Sequence, residues 1–350
     1  MSARQHNILF DCEKMRHANT GVFYFCLNLG RALQRAHNSN NETLHFYTPQ
    51  NQATAFGTEA NYEYHKSWHK FFNPVAGKMD VWHCTYQLSN YLPKNKKTKK
   101  IITVHDLNFL IDNPENQTEQ LKKIQTLIDR VDEIVCISEY TKRDVLNHLS
   151  TNNKPVTVVH NGSGVKEFPG FNAPVYKPSK PFIFSIGTFF AKKNFHVLPC
   201  LLKNNDYELI VAGERRPDYE AKIIEQARLH SVEDRVKLIG KISDEDKYWY
   251  YKNCLAFAFP SLAEGFGLPV VEAMYFGKPV FLSTHTSLPE IGGDEAFYFD
   301  SFDCDAMNAV FEKGLSQLNE HFAQKIKARS REFTWEKAAK QYLEIYRSLY

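Results

Sequence analysis

Short apolar runs alternate with amphipathic stretches from one end of the chain to the other. "NILFD" (7–11) reads as a strand, and the stretch from about Thr20 puts Val22, Phe25, Cys26, Leu29 and Leu33 on one helical face. "TLHFYT", "DVWHCT" and "KIITVHD" continue the strands. A helical period around 118–131 carries Leu121, Ile124, Ile128 and Val131; "EIVCIS", a helix capped by Ser138, and "VTVVHN" (156–161) close this half. Residues 162–181, "GSGVKEFPGFNAPVYKPSKP", carry Pro169, Pro174, Pro178 and Pro181 without either period and read as a linker. Alternation then restarts: "FIFSIG", a helix near 194–204, "YELIVAG", a helix near 217–230, "VKLIG", a helix near 244–253, "LAFAFP", a short helix at 269–276, "PVFLS" and "AFYFD". The tail, "TWEKAAKQYLEIYRSLY", is amphipathic and helical, with nothing in its period to say where it packs. Strands alternating with helices make parallel sheets covered on both faces, so the fold class is α/β: two doubly wound, Rossmann-like domains facing each other across a cleft. Ligands of such sheets bind outside the carboxyl ends of the strands.

Composition narrows the function classes. A chain of 350 residues with a net charge of +3 is large enough for two cores and too near neutral for a nucleic-acid binder. The densest charge, "KNKKTKK" (Lys94 to Lys100), reads as a solvated loop before a strand, with contact to an anionic membrane face as the sharper alternative. Seven scattered cysteines without a C-x-x-C predict reduced thiols in a cytosolic setting and no zinc site. "MSARQHNILFDCEK" has no apolar leader and no window reaches the length of a membrane span, so any membrane contact is expected to be peripheral.

Chemistry concentrates in "PSLAEGFGLPVVEAM" (260–274). Pro269 suits the first position of a helix and Gly277 the position past its end, so Glu272 falls on the first turn and Glu264 in the preceding loop. The N–H groups of Gly265, Phe266, Gly267 and Leu268 then crowd the positive end of that helix, which favours an oxygen-rich or anionic ligand. A carboxylate accepts from two neighbouring hydroxyls at once, the pattern a sugar or ribose presents. The plainer alternative, capping of the helix start, needs only one acid. Three further stretches sit at strand ends. "SIGTFFAKKN" brings Thr188, Lys192, Lys193 and Asn194, where lysines meet phosphate as point charges. "TVHDLN" brings His105 and Asp106, and "NTGVFYF" brings Gly21 at the start of a helix. Each alone also reads as ordinary surface or cap chemistry; their joint placement carries the weight.

Two other patterns fail on context. "GSGVKE" (162–167) nearly matches a dinucleotide fingerprint, but "FPGFNAP" after it cannot open a helix to receive a phosphate. "DCD" (Asp303 to Asp305) and "DEDK" (244–247) resemble a metal-gripping D-x-D, yet read better as acids at helix amino termini.

"FPSLAEGFGLPVVEAMYFGKPV" resembles the E-x7-E signature of the retaining family-4 glycosyltransferases. "NTGVFYF", "TVHDL", "CISEYTKRDV", "VVHNGSG", "SIGTFFAKKN", "LIGKISDEDKYWYYKNC", "SLPEIGGDEAFYFD" and the tail fall in that family's order along nearly the whole chain. The resemblance implies the GT-B fold, with an acceptor domain over 1–168, a nucleotide-sugar donor domain over 175–332, and a terminal helix over 333–350 that crosses back to the first domain. It implies that Glu264 accepts the donor sugar's hydroxyls, aided by the amides of Gly265, Phe266 and Gly267 with Leu268 adjoining. Glu272 would hold the nucleotide ribose, while Lys193, with Lys192 or Thr188, would neutralise the diphosphate. His105 would face the reacting sugar, and Gly21 would lie near the diphosphate or acceptor. Many relatives have arginine where Lys192 stands, so a bidentate clamp is replaced here by a point charge.

These features predict a metal-independent, retaining hexosyltransferase without a cofactor, the nucleotide-sugar being a substrate. It would act in cell-surface polysaccharide or lipopolysaccharide assembly, in the cytoplasm and at the inner face of the membrane. The resemblance leans toward GDP-mannose, with UDP- and ADP-sugars open. A saccharide or lipid-linked saccharide would dock on the first domain, whose residues 50–78 include Phe56, Tyr62, Tyr64, Trp68, Phe71 and Phe72 as sugar-stacking, lipid-contacting or packing groups. The competing readings are a non-catalytic sugar-binding protein and a sugar phosphorylase.

Overall fold

Strand runs that are apolar on both faces need cover on both faces, and that requirement organises the chain twice. In the computed structural model, which describes residues 4–18, 20–112 and 114–350, the chain divides into two compact units, one running to Gly162 and resuming at Phe333–Tyr350, the other spanning Ser163–Glu332. Asn19 of the "NTGVFYF" stretch and the first three residues of the amino-terminal reading fall outside the described residues.

The first unit holds β1 (His6–Asp11), β2 (Glu42–Thr48), β3 (Asn61–Tyr64), β4 (Val81–Cys84), β5 (Lys99–Val104), β6 (Glu133–Cys136) and β7 (Val156–Val158). They form one parallel sheet in the order β3-β2-β1-β4-β5-β6-β7. Its helices are α1 (Gly21–Ala36), α2 (Phe109–Asp112), α3 (Gln117–Ile128) and α4 (Glu139–His148). Thr20 caps α1 by accepting from Phe23 N–H at 3.2 Å, and Ser138 caps α4 by accepting from Thr141 N–H at 3.1 Å. Strand β3, "NYEY", was not legible because an edge strand exposed to solvent keeps no apolar run. The lysine run is no simple loop: Lys99 and Lys100 begin β5, Lys99 pairs with Asp132, and the buried Lys100 donates to the Thr98 carbonyl.

The second unit repeats the plan with β8 (Phe182–Ile186), β9 (Glu208–Ala212), β10 (Val236–Gly240), β11 (Ala256–Phe259), β12 (Val280–Ser283) and β13 (Phe297–Phe299), in the order β10-β9-β8-β11-β12-β13, again all parallel. Its helices are α5 (Pro217–Leu229), α6 (Asp244–Asn253), α7 (Leu268–Tyr275), α8 (Leu288–Gly292), α9 (Cys304–Gln317) and α10 (Glu320–Ser330). The helix expected near 194–204 is instead a 3-10 turn at Ala191–Lys193 followed by a 3-10 stretch at Phe195–Leu202, because Pro199 inside it supplies no N–H. The acids of "DCD" and "DEDK" sit at helix starts: Asp303 accepts from Asp305 and Ala306 N–H, and Asp246 forms a capping box with Ser243.

The boundary between units falls at Gly162, earlier than the expected 168, and the linker is not loose. Lys166 pairs with Asp244 of α6 at 2.6 Å, Glu167 accepts from Tyr275 of α7, and Phe168 meets the Tyr248 ring edge-on. No helix or strand forms between β7 and β8, so "GSGVKE" has no helix behind it.

Helix α11 (Trp335–Ser348) belongs to the first unit. Phe25 of α1 meets Trp335 and Tyr342 edge-on. Buried Tyr346 and Tyr342 reach the sheet through polar contacts: Tyr346 OH lies 2.7 Å from His83 Nδ1, and Tyr342 OH lies 2.9 Å from Thr103 Oγ1. The helix end is fixed by Arg347, which donates to the buried Glu42 carboxylate at 2.6 Å and 3.0 Å. A side chain at Gly162 would strike the Trp335 backbone, since its Cβ would lie 2.1 Å from that nitrogen.

Candidate functional site

In a doubly wound sheet the loops diverge where the strand order reverses, leaving an opening at the carboxyl edge. In the second unit that point lies between β8 and β11, and it collects the residues singled out by sequence. The β8 exit carries Thr188, Lys192 and Lys193; the β11 exit carries Glu264 through Leu268. Lys193 Nζ lies 2.5 Å from Glu264 Oε1, with the two side chains 15% and 13% exposed, and 5.0 Å from the Phe259 ring centroid. Asn194 turns the chain with φ of 57°, and its buried Nδ2 finds no hydrogen-bond partner among the described residues. The Lys192 carbonyl accepts from Leu262 N–H at 2.7 Å and from Ser261 Oγ at 3.1 Å, which ties the two loops together.

Helix α7 runs from Leu268 to Tyr275, one residue earlier than expected at each end, because Gly267, at φ 109°, takes the left-handed cap position. Glu272 is therefore beyond the first turn. It pairs with Lys247 of α6, Nζ to Oε1 3.1 Å, beside the buried Tyr251 hydroxyl. Burial, then the Glu272 charge, push the Tyr251 hydroxyl far above its ordinary range, so it stays protonated. Both signature acids are thus lysine-paired. Glu264 N–H donates to Thr286 Oγ1 at 3.0 Å, and Ser287 Oγ donates to the Glu264 and Phe266 carbonyls at 3.0 Å and 2.9 Å. Sequence reading missed Lys247, Thr286 and Ser287. "SLPEIGGDEAFYFD" carried only the resemblance, and no local period reports which loop Ser287 braces.

In the first unit the order reverses between β1 and β4. His105 follows β5 and is buried, with Nε2 at 2.7 Å from the Thr85 carbonyl. A carbonyl only accepts, so Nε2 carries the proton and Nδ1 is left as an acceptor. Burial lowers its basicity despite the Thr85 contact and the Asp106 charge, which act the other way, so the ring is neutral. Gly21 opens α1, and a Cβ built there would meet nothing within 4 Å. Sequence reading also missed a buried acid pair at the β1 exit. Asp11 and Glu13 are each almost wholly buried. Burial, then the Glu13 charge, raise Asp11 to about 7, outweighing the Glu13 N–H, Lys14 and Trp82. Glu13 has Arg16 at 3.0 Å and Lys14 at 3.5 Å.

The aromatic stretch divides. Phe56 is buried and stacks on Phe46 at 4.0 Å, and Tyr62 OH donates to the Gly57 carbonyl, so these two are packing. Tyr64, Trp68, Phe71 and Phe72 are exposed. All seven cysteines are free thiols. No helix among the described residues is long and apolar enough to cross a membrane.

Comparison with known proteins agrees with this fold. The model for glycosyltransferase family 4 matches residues 22–163, and the model for glycosyl transferases group 1 matches residues 171–333. The chain is similar to O-antigen chain mannosyltransferase B of Escherichia coli, 26% identical over 281 residues that cover 74% of this chain and 72% of that protein. It is also similar to the serotype-specific mannosyltransferase WbdA of Escherichia coli, 28% identical over 273 residues that cover 70% of this chain but only 33% of WbdA. Among solved structures, sucrose-phosphate synthase from Thermosynechococcus elongatus matches with a TM-score of 0.72 at 18% identity, covering 99% of both chains. HepE from Anabaena, in complex with UDP-glucose, matches with a TM-score of 0.73 at 16% identity, covering 98% of this chain and 99% of that one. At these identities the structural matches speak for the fold.

Proposed function

The chain belongs to glycosyltransferase family 4 and has the GT-B fold, and from that premise we propose that it moves a hexosyl group, with retained configuration, from a nucleotide-diphospho-sugar to a saccharide or lipid-linked saccharide acceptor. GDP-mannose is the first candidate donor, supported by the mannosyltransferase relatives; UDP- and ADP-sugars are the alternatives. The reaction would serve cell-surface polysaccharide or lipopolysaccharide assembly, in the cytoplasm at the inner face of the membrane.

The observation that carries the proposal is the Lys193–Glu264 pair at the switch point of the second sheet. A donor offers each partner a replacement: phosphate oxygens for the ammonium, sugar hydroxyls for the carboxylate. Glu264 takes the transferred sugar, Glu272 the ribose, and Lys193, with Lys192 and Thr188, the diphosphate. Gly265, Phe266, Gly267 and Leu268 line the donor, and Gly21 leaves room for diphosphate or acceptor. The neutral His105 accepts from a sugar hydroxyl and, with Nε2 committed to Thr85, does not serve as an acid. The bond from the anomeric carbon to the leaving phosphate oxygen breaks, and the acceptor oxygen bonds that carbon on the same face. The acceptor's proton goes to the departing phosphate. Lysine charge stabilises the leaving group most where its charge is largest, in the transition state. Both signature acids being committed to binding, neither serves as a covalent nucleophile.

Product analysis by NMR tests the stereochemistry, and an inverted anomeric linkage refutes it. Activity unaffected by EDTA is expected; loss restored by Mg²⁺ or Mn²⁺ rejects the metal-free reading. Slow nucleotide release without acceptor separates an enzyme from a non-catalytic sugar-binding protein, and dependence on free phosphate would mark a phosphorylase.

A further inference from the structure

The loop leaving β3 presents apolar surface in an ordered way. Residues Ser67–Lys70 form a 3-10 turn, extended when Phe71 and Phe72 N–H both donate to the Trp68 carbonyl. The turn is anchored from inside by buried His69, whose Nδ1 lies 2.7 Å from the buried Tyr47 hydroxyl. Its other side chains face out: Trp68 is 47% exposed, Phe71 72% and Phe72 68%. Isolated exposed aromatics need no explanation, but three held together on one turn mark a contact surface.

The neighbouring charge says what kind. Lys70 Nζ lies 4.9 Å from the Phe71 ring centroid, and the same lysine lines a cavity of about 680 Å³ with Lys94, Lys123 and Arg130. The carboxylate in the lining, Glu119, is taken by Lys123 at 2.6 Å, and Arg130 donates to the Leu92 and Pro93 carbonyls. Lys70 and Lys94 pair with no carboxylate among the described residues. Aromatic side chains partition into the headgroup region of a bilayer, and ammonium groups beside them bind lipid phosphate.

We propose that Trp68, Phe71 and Phe72, with Lys70 and Lys94, form a docking surface for an anionic phospholipid bilayer, the aromatics entering the interface and the cavity lysines taking headgroup phosphates. Because this loop leaves the same sheet edge as His105, a lipid-linked acceptor held in that bilayer would meet the first unit where the proposed reaction needs it; this purpose, though not the test, rests on the proposed function.

The whole chain is floated with vesicles of phosphatidylcholine alone and of phosphatidylcholine with phosphatidylglycerol. Binding is expected to the anionic vesicles only, to weaken with salt, and to quench tryptophan emission when the lipid is brominated near the headgroup. Lys70→Glu/Lys94→Glu lowers the partition about twentyfold or more, since each lysine at such a surface counts for about a fivefold factor and the reversal adds repulsion. Phe71→Ser/Phe72→Ser also releases the protein, whereas Lys340→Glu, an exposed change on α11, does not. Equal binding to neutral vesicles, no vesicle binding, or wild-type binding by the variants overturns the proposal. So does concentration-dependent self-association lost in the variants without lipid binding, which would make the face a protein interface. A melting-temperature shift with GDP in vesicle-free solution reports separately on the donor site, so failure here and failure of the proposed function are distinguishable.

Discussion

The two sheet edges are built alike and charged differently. At the switch point of the second unit, acids and lysines stand in pairs, Glu264 with Lys193 and Glu272 with Lys247. At the corresponding edge of the first unit, the imidazole is neutral, one buried acid has its pKa raised to about 7, and the other is held by Arg16 and Lys14. A paired edge can exchange its internal partners for a ligand that carries both phosphates and hydroxyls, keeping each charge satisfied. The first edge adds to its one acid–cation cluster a neutral imidazole and an acid of raised pKa, groups that suit the hydroxyls of an uncharged polyol. One fold thus supplies two recognition chemistries, consistent with donor on one unit and acceptor on the other as proposed above.

The strongest way to break this contrast is Lys193→Ala, which removes the leaving-group charge and strands Glu264 in a largely buried site. Donor turnover should fall about a thousandfold. Turnover within tenfold of wild type would mean that the pair is only structural. The contrast at the first edge is tested by pH. The folded protein holds the Asp11 proton up to about pH 7, whereas an exposed aspartate releases it near 3.8. The folded state therefore binds more protons across that window, and stability from this residue is greatest at its acid end and drains away as pH rises through it, by up to about 4 kcal/mol. In Asp11→Asn the decline in melting temperature from about pH 5 to 8 should flatten; an unchanged slope removes Asp11 as its cause.

Smaller effects sharpen the comparison. Lys247→Met should raise the donor KM about fivefold with little change in kcat, as expected for a partly exposed ion pair that orients Glu272, and Lys247→Arg should restore it. A fall in kcat at constant KM would instead place Lys247 in the transition state. Lys192→Arg is expected to change donor KM by no more than about threefold, since the positive charge is kept and Lys193, paired with Glu264, is unaltered; a larger gain would show that a bidentate clamp had been missing.

What the sequence disclosed follows from range. Pro269 and Gly277 punctuate α7 locally, so Glu264 and Glu272 could be placed on either side of its start without coordinates. Apolar runs buried on both faces likewise reported the two parallel sheets. Lys247, Thr286 and Ser287 could not be found that way, because each acts on a residue more than twenty positions distant and leaves no periodic trace. Asp11 was hidden in "NILFD", where a strand-end acid reads as a turn signal although it is buried. The linker's anchorage was not legible, because prolines describe backbone limits but not the partners that Lys166, Glu167 and Phe168 find on α6 and α7.

Helix α11 has a consequence for biosynthesis. A ribosome releases the second unit's whole sequence before the last helix of the first emerges, so through most of translation His83 and Thr103 wait without Tyr346 and Tyr342, and Glu42 without Arg347. The half that begins first is completed last, and its unfinished interval is where a nascent chain of this design would most need a chaperone.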